Sequence, residues 1–236
     1  MIYFLLIVYS AIFISFIQVA AECIPINSPF LFRFSECNNC KKNLPFHQII
    51  PIYSFLFLKG VSSCCKTAIP ISYFLLEVLT PIYILVLYHE FSFSYYFFIC
   101  GICYYFLAFF FITDILYMYV PNAIIILFSV IILFIYFLFQ QPLFVLTRSI
   151  LMSTIFYLLF FFVFRKGIGL GDIKLFIILS SFLGFKMGYY IFFLAILAGT
   201  IILLIAVALK KIKKNRQVPF VPFIFISFII VSILMK

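Results

Sequence analysis

Long apolar runs dominate this chain and restrict its fold more than any other feature. One of them, AIIILFSVIILFIYFLF at residues 123–139, carries no charged side chain. A helix of about 20 apolar residues crosses the ~30 Å hydrocarbon core of a membrane. We therefore predict about eight transmembrane helices, at about residues 2–21, 69–88, 93–112, 121–139, 143–164, 173–185, 188–208 and 219–235.

Helices explain these runs better than a β-barrel does. Backbone groups in lipid must be hydrogen-bonded within the protein, so a spanning segment is either a helix or a strand of a closed barrel. Barrel strands alternate apolar and polar residues, whereas these runs are continuously apolar. Hydrophobic residues make up 68% of the chain and charged residues 9%, where a soluble domain has about 25% charged residues. The predicted fold class is an all-α polytopic membrane protein.

The positions of Lys and Arg predict the orientation of the helices. Thirteen of the sixteen basic residues fall in three segments, at 22–68, 165–174 and 210–217. Cytoplasmic loops of membrane proteins carry the excess of Lys and Arg. We therefore expect a protein of the cell membrane with these segments in the cytoplasm and both termini outside. The net charge of +10 is assigned to topology and to contact with anionic lipid headgroups, and no nucleic-acid partner is predicted.

Three regions follow from this topology. Residues 1–21 have no basic segment before their apolar run, so we predict a first transmembrane helix there rather than a cleaved signal peptide. Residues 22–68 form a cytoplasmic loop that contains CNNC (37–40) and SSCC (62–65), and residues 69–236 contain the other seven helices. So short a loop buries too little core to fold alone, and cytosolic cysteines stay reduced. Metal binding is therefore favoured over a disulfide.

The chain has two aspartates, Asp114 and Asp172. Asp114 ends the third predicted helix, which runs towards the cytoplasm, and Asp172 begins the sixth, which runs away from it. Both are therefore expected at the cytoplasmic end of the membrane. An ionisable group at this depth is costly unless it is paired or functional. Two neighbouring carboxyl groups that share one proton supply a general base and a general acid, as in aspartic proteases.

Other interpretations of these residues must be weighed against a catalytic pair. Asp172 could be a helix cap, because acidic groups are favoured at helix N-termini. Asp114 lies at a helix C-terminus, where the helix dipole disfavours a negative charge, so a cap of its own helix does not explain it. A phosphate loop does not fit GIGLGDIK (167–174), because Lys174 is followed by Leu175 rather than by Ser or Thr.

Four motifs in order resemble the type IV prepilin leader peptidase family. GLGDIK (169–174) is similar to the family's Gly-x-Gly-Asp-x-Lys signature, and TDILYMYVPN (113–122) is similar to its other aspartate motif. Residues 35–80 resemble its cytoplasmic cysteine segment, and VPFVPF (218–223) resembles a Pro-Phe-Gly-Pro stretch before the last helix. The likeness extends over almost the whole chain.

The resemblance implies a membrane aspartic endopeptidase that acts at the cytoplasmic face. Its substrates would be prepilin or pseudopilin precursors of pilus, competence or secretion systems, from which it removes a short basic leader. Asp114 and Asp172 match the catalytic aspartates of the family. Gly169 and Gly171 would shape the site, with Lys174 beside them. Many members also methylate the new N-terminus with S-adenosylmethionine.

The cysteine segment departs from the family pattern at Ser62, which replaces the first cysteine of the second Cys-x-x-Cys pair. Zinc is the predicted metal, because it binds four Cys or His ligands in a tetrahedral site. Its ligands would be Cys37, Cys40 and Cys65, with Cys64 or His47 as the fourth. The alternative is a loop held by packing alone.

Two further departures bear on methylation. Ile14 and Cys23 occupy positions where the family usually has Gly and Arg, which weakens the methyltransferase inference more than the protease inference. The sequence identifies no residues that bind S-adenosylmethionine. Two other functions stay open, namely a different GxGD-type intramembrane aspartic protease and a non-enzymatic small membrane transporter.

Overall fold

The computed structural model describes residues 1–29, 36, 40, 42–43, 52–164, 169–209 and 218–234. Cys37 and His47, two of the candidate zinc ligands, lie outside the described residues, as do residues 165–168 of the basic segment at 165–174 and all of that at 210–217. The described residues form α-helices, one 3₁₀ turn and no β-strand, with two isolated β-bridges. The all-α prediction is confirmed.

Nine α-helices follow one another along the described parts of the chain. They are α1 (Ile2–Cys23), α2 (Tyr53–Phe57), α3 (Ile71–Phe91), α4 (Tyr95–Tyr117), α5 (Asn122–Leu138), α6 (Leu143–Val163), α7 (Leu170–Leu183), α8 (Phe185–Ala208) and α9 (Val221–Leu234). Five of them, α1, α3, α4, α6 and α8, are long and apolar enough to cross a membrane, and α5 and α9 are shorter apolar helices. The protein is therefore a multi-pass membrane protein.

Helix α7 has 14 residues, which corresponds to a length of about 21 Å and is less than the hydrocarbon thickness. It ends at Gly184, whose φ of 91° lies in a region that side chains disfavour, and α8 begins at the next residue. The two helices are thus joined by a tight turn at this single residue.

One helix boundary differs from the prediction in a way that affects the site. The apolar run predicts that α4 ends near residue 112, but the helix continues to Tyr117. Ile115 and Leu116 extend its apolar character past the polar pair at 113–114, so the helix has no reason to stop there. It closes at Met118, whose N–H donates to the Asp114 carbonyl at 2.9 Å. Asp114 therefore lies within the last turn of α4, not after it.

The structure divides into two compact units, Met1–Glu90 and Phe91–Lys236. The predicted division at residue 69 stays a prediction. In the first unit, polar contacts join α1 to α3: the Ser15 hydroxyl donates to the Glu77 carboxylate, and the Gln18 amide donates to the Tyr73 carbonyl. Hydrogen bonds of this kind hold helices together where surrounding lipid offers no hydrophobic driving force.

The second unit packs α4, α7 and α9 inside and leaves apolar faces of α6 and α8 outside. α4 contacts α9, and α7 lies between α6 and α8. Side chains such as Phe144 on α6 and Leu204 on α8 are 76% and 70% exposed. Large apolar surfaces of this kind suit lipid rather than water. This arrangement brings both predicted catalytic residues to the buried helices of one unit.

Candidate active site

Asp114 is buried in the last turn of α4, with 7% of its surface exposed. Its Oδ2 accepts a hydrogen bond of 2.9 Å from the backbone N–H of Val221, the first residue of α9. The first N–H groups of a helix have no partner within the helix, and they favour a negative charge. Asp114 does not cap its own helix, as the sequence indicates, but its carboxylate caps α9.

Asp172 lies in the first turn of α7, three residues after the N-cap Gly169. The Gly169 backbone N–H donates a hydrogen bond to its carboxylate. A Cβ added at Gly169 would lie 3.2 Å from Asp172 Oδ2, so the absence of a side chain leaves the space beside this carboxyl group open. Asp172 can therefore cap the start of α7 and still have space beside its carboxyl group for a catalytic role.

The two carboxyl groups lie close enough that the charge of Asp114 acts on Asp172. The two aspartates are 58 positions apart in the chain, and they lie where α4 ends and where α7 begins. Like charges at short range disfavour ionisation of both groups. In such a pair, a protonated carboxyl group can donate a proton and an ionised one can accept a proton.

A second pair of contacts joins the first turn of α7 to the segment that follows α4. A Cβ at Gly171 would lie 3.2 Å from Val120 Cβ and 3.3 Å from its Cγ2. The exposed Lys174 donates a hydrogen bond of 2.8 Å to Oδ1 of Asn122 at the start of α5. Gly171 and Lys174 therefore contact the Val-Pro-Asn motif rather than the carboxyl groups themselves. They link the first turn of α7 to the segment between α4 and α5.

The cysteine segment belongs to the first unit. The Sγ atoms of Cys40, Cys64 and Cys65 lie within 4.8 Å of one another, a grouping that could hold a metal ion. Two antiparallel β-bridges, Glu36 to Asn43 and Val61 to Ala68, close turns of equal length around the cysteines. The structure thus brings three of the five candidate ligands together, and the other two, Cys37 and His47, lie outside the described residues.

Ser62 lies among these sulfur atoms, where the family pattern has a cysteine. Its Oγ is 3.1 Å from the Sγ of Cys64 and 3.4 Å from that of Cys65. Four thiolates at about 2.3 Å from a tetrahedral zinc lie about 3.8 Å apart. The Cys64 to Cys65 separation is 3.8 Å, and the Cys40 to Cys64 separation is 3.0 Å. The donor set fits zinc, and a small movement of Cys40 away from Cys64 would bring their sulfur separation to about 3.8 Å.

Sequence patterns could not identify one part of this site. The donor to Asp114 is a backbone N–H, which is present at almost every residue and leaves no mark in a side-chain pattern. Only the motif VPFVPF pointed to this region, through its likeness to a family stretch. The contact between Gly171 and Val120 also depends on helix packing, which spacing along the chain does not reveal.

Comparisons with known proteins agree with the geometry. Residues 8–91 match the model of the bacterial peptidase A24 N-terminal domain, and residues 101–204 match that of the type IV leader peptidase family. A protein of Bacillus subtilis (strain 168), named prepilin leader peptidase/N-methyltransferase, is 29% identical over 231 residues, which cover 92% of this chain and 88% of the relative. No solved structure matches this chain.

The two family models adjoin along the chain and together span most of it, including both aspartate motifs and the cysteine segment. The relative aligns over nearly the full length of both proteins. The resemblance seen in the four motifs is thereby confirmed: the chain belongs to the type IV prepilin leader peptidase family.

Proposed function

We propose that this protein is an aspartic endopeptidase of the membrane that removes the leader from prepilin-like precursors, with Asp114 and Asp172 as its catalytic residues. The observation that carries the proposal is the meeting of these two carboxyl groups, from α4 and α7, within electrostatic reach. The family membership supports the same activity. It favours this activity over a different GxGD-type intramembrane protease and over a transporter.

The pair can carry out peptide hydrolysis without a metal. The ionised carboxylate takes a proton from a water molecule, whose oxygen attacks the scissile carbonyl carbon. The protonated carboxyl group gives its proton to the carbonyl oxygen, and a tetrahedral diol forms. The C–N bond then breaks as the amine nitrogen receives a proton from the first carboxyl group. The leader leaves with a new carboxylate, and the mature protein leaves with a new amino group.

We place this chemistry at the cytoplasmic face of the cell membrane. The support is the topology predicted from the sequence, in which the three segments that carry thirteen of the sixteen Lys and Arg residues lie in the cytoplasm. The same topology predicts that α4 ends and α7 begins at the cytoplasmic face. The charged leader of a precursor would then approach the site from the cytoplasm, while its apolar segment lies along the exposed apolar helices.

Zinc and S-adenosylmethionine are the proposed cofactors, neither of them needed for proteolysis. Cys40, Cys64 and Cys65 would hold the zinc, with Cys37 as the expected fourth ligand, and the metal would crosslink a segment too small to fold alone. The name of the Bacillus relative includes N-methyltransferase, so we propose that the new N-terminus is methylated. No residue of this chain is assigned to binding S-adenosylmethionine.

Co-expression with a tagged pseudopilin precursor tests the proposal. Wild type should shift the precursor to the mature mass, and Asp114→Asn and Asp172→Asn should each leave the leader in place. Glu90→Gln, which replaces a carboxyl group of the other unit, is the matched control and should cleave normally. Uncut precursor with wild type, or normal cleavage by both aspartate variants, would show that the assignment is wrong. The mass of the mature N-terminus reports methylation separately.

A further inference from the structure

The start of α9 carries a sequence motif, VPFVPF, that the proposed chemistry does not use. The Val221 N–H donates to Asp114 Oδ2 at 2.9 Å, across 107 positions of the chain. The N–H of Phe220, the preceding residue, lies near the same carboxyl group. The Asp114 carboxylate is therefore bound to the beginning of another helix in the same unit of the structure.

The start of α9 needs this contact with the Asp114 carboxylate. Helices usually begin with Ser, Thr, Asp or Asn, whose side chain accepts the first N–H groups. The residues before α9 are Val218, Pro219 and Phe220, and none has a side-chain acceptor. Val221 is fully buried, so water cannot accept its N–H, and a buried N–H without a partner costs about 1–3 kcal/mol. The Asp114 carboxylate is the acceptor that this helix lacks.

The start of α9 is also held firmly relative to the other aspartate helix. A Cβ added at Gly199 of α8 would lie 3.2 Å from the Phe220 ring, so that ring packs directly on the α8 backbone. The same ring lies 6.4 Å, centroid to centroid, from that of Phe176. Phe176 follows Asp172 by one turn on α7. Phe220 thus contacts the helix of Asp172 while the next residue binds Asp114.

We infer that residues 218–222 are a positioning element of the active site, in which the Val221 N–H orients the Asp114 carboxylate for the reaction. This inference rests on the proposed role of Asp114. It gives a function to the VPFVPF motif, which the proposed proton transfers between the two aspartates and the substrate do not involve. Because the N–H acts through Asp114 and not on the precursor, its loss should slow the chemical step and leave precursor binding unchanged.

A proline substitution removes this single N–H. Proline is tolerated at the first position of a helix, where its missing N–H breaks no bond within the helix. Val221→Pro is therefore the test variant, and Val221→Ala, which keeps the N–H, is the matched control. A second test variant replaces Val221 by its α-hydroxy acid analogue, which exchanges the amide N–H for an ester oxygen and introduces no ring.

Single-turnover cleavage of a pseudopilin precursor, with purified enzyme in increasing excess, is the measurement. Its plateau rate reports the chemical step and does not depend on the fraction of enzyme that is folded, whereas its half-saturation point reports binding. Loss of a hydrogen bond to a charged group predicts a plateau lower by about tenfold or more for Val221→Pro and for the ester variant. Val221→Ala removes the side chain but keeps the N–H, so its plateau is the reference for the other two variants, and all three should keep the wild-type half-saturation point.

Plateau rates for the proline and ester variants within twofold of Val221→Ala would overturn the inference. Asp114→Asn, measured in the same assay, separates this failure from failure of the proposed function. If Asp114→Asn is inactive while Val221→Pro and the ester variant are normal, the positioning role alone is wrong. If Asp114→Asn cleaves at the wild-type rate, the catalytic role of Asp114 is wrong and the inference falls with it.

Discussion

Gly171→Ala should slow leader removal by moving the first turn of α7. The added methyl group would lie 3.2 Å from Val120 Cβ and 3.3 Å from its Cγ2, where carbon atoms prefer separations of about 3.5–4.0 Å. The first turn of α7 and the segment after α4 must therefore separate by about half an ångström. The hydrogen bond from Lys174 to Asn122 joins the same two segments and opposes sliding between them.

Two opposing terms set the effect of Gly171→Ala on stability. Overpacking costs about 1–3 kcal/mol, whereas replacing Gly by Ala within a helix gains about 0.5–1 kcal/mol. The free energy of unfolding should therefore fall by about 0–2.5 kcal/mol. Misplacement of a reacting group by ~1 Å costs ~100-fold in rate, so a shift of half that size predicts a loss on the order of tenfold.

The assay is single-turnover cleavage of a pseudopilin precursor, beside thermal unfolding in the same detergent. Gly184→Ala is the matched control, since it makes the same chemical change at the other end of α7, where nothing lies within 4 Å of the new methyl group. Its positive φ makes it costly for stability, but it should leave the plateau rate unchanged. A Gly171→Ala plateau equal to that of Gly184→Ala would refute the steric reasoning.

Three further substitutions test other contacts of the structure. Gly188→Ala places a methyl group 2.5 Å from the Ser180 backbone, a clash that no side-chain rotation relieves, so we expect a loss of about 3 kcal/mol or more in stability, measured as a lower Tm. Cys64→Ser should reduce bound zinc, measured by elemental analysis of the purified protein, and unchanged zinc content would exclude Cys64 as a ligand. Lys174→Met removes the donor to Asn122 and should lower the cleavage rate about threefold to tenfold, with Lys174→Arg closer to wild type.

The helices were largely predictable from the sequence because the physical demand of the membrane is simple. A spanning helix must be apolar over most of its length, so each such helix can be identified as an apolar run in the sequence. The end of α4 was not predictable in this way, because polarity at residues 113–114 does not end a helix by itself. Its true end depends on Met118, whose left-handed conformation leaves no pattern in composition.

The sequence was enough to predict which two residues form the candidate site, but not which groups they contact. Asp114 and Asp172 stand out because the chain has no other aspartate and because topology places both at one membrane face. The partner of Asp114 is a backbone group of α9, and the neighbour of Gly171 is a residue in a turn. Contacts of these kinds arise when helices pack, and their energies depend on distances that spacing in the sequence does not fix.

Purified protein with one or both aspartates replaced gives the most direct test of the catalytic pair. The plateau rate of leader removal should fall by about 10³-fold or more for Asp114→Asn and for Asp172→Asn. Residues that act as a unit are not additive, so the double variant should be no slower than either single variant. Wild-type rates for either single variant, or losses that multiply in the double variant, would contradict the account.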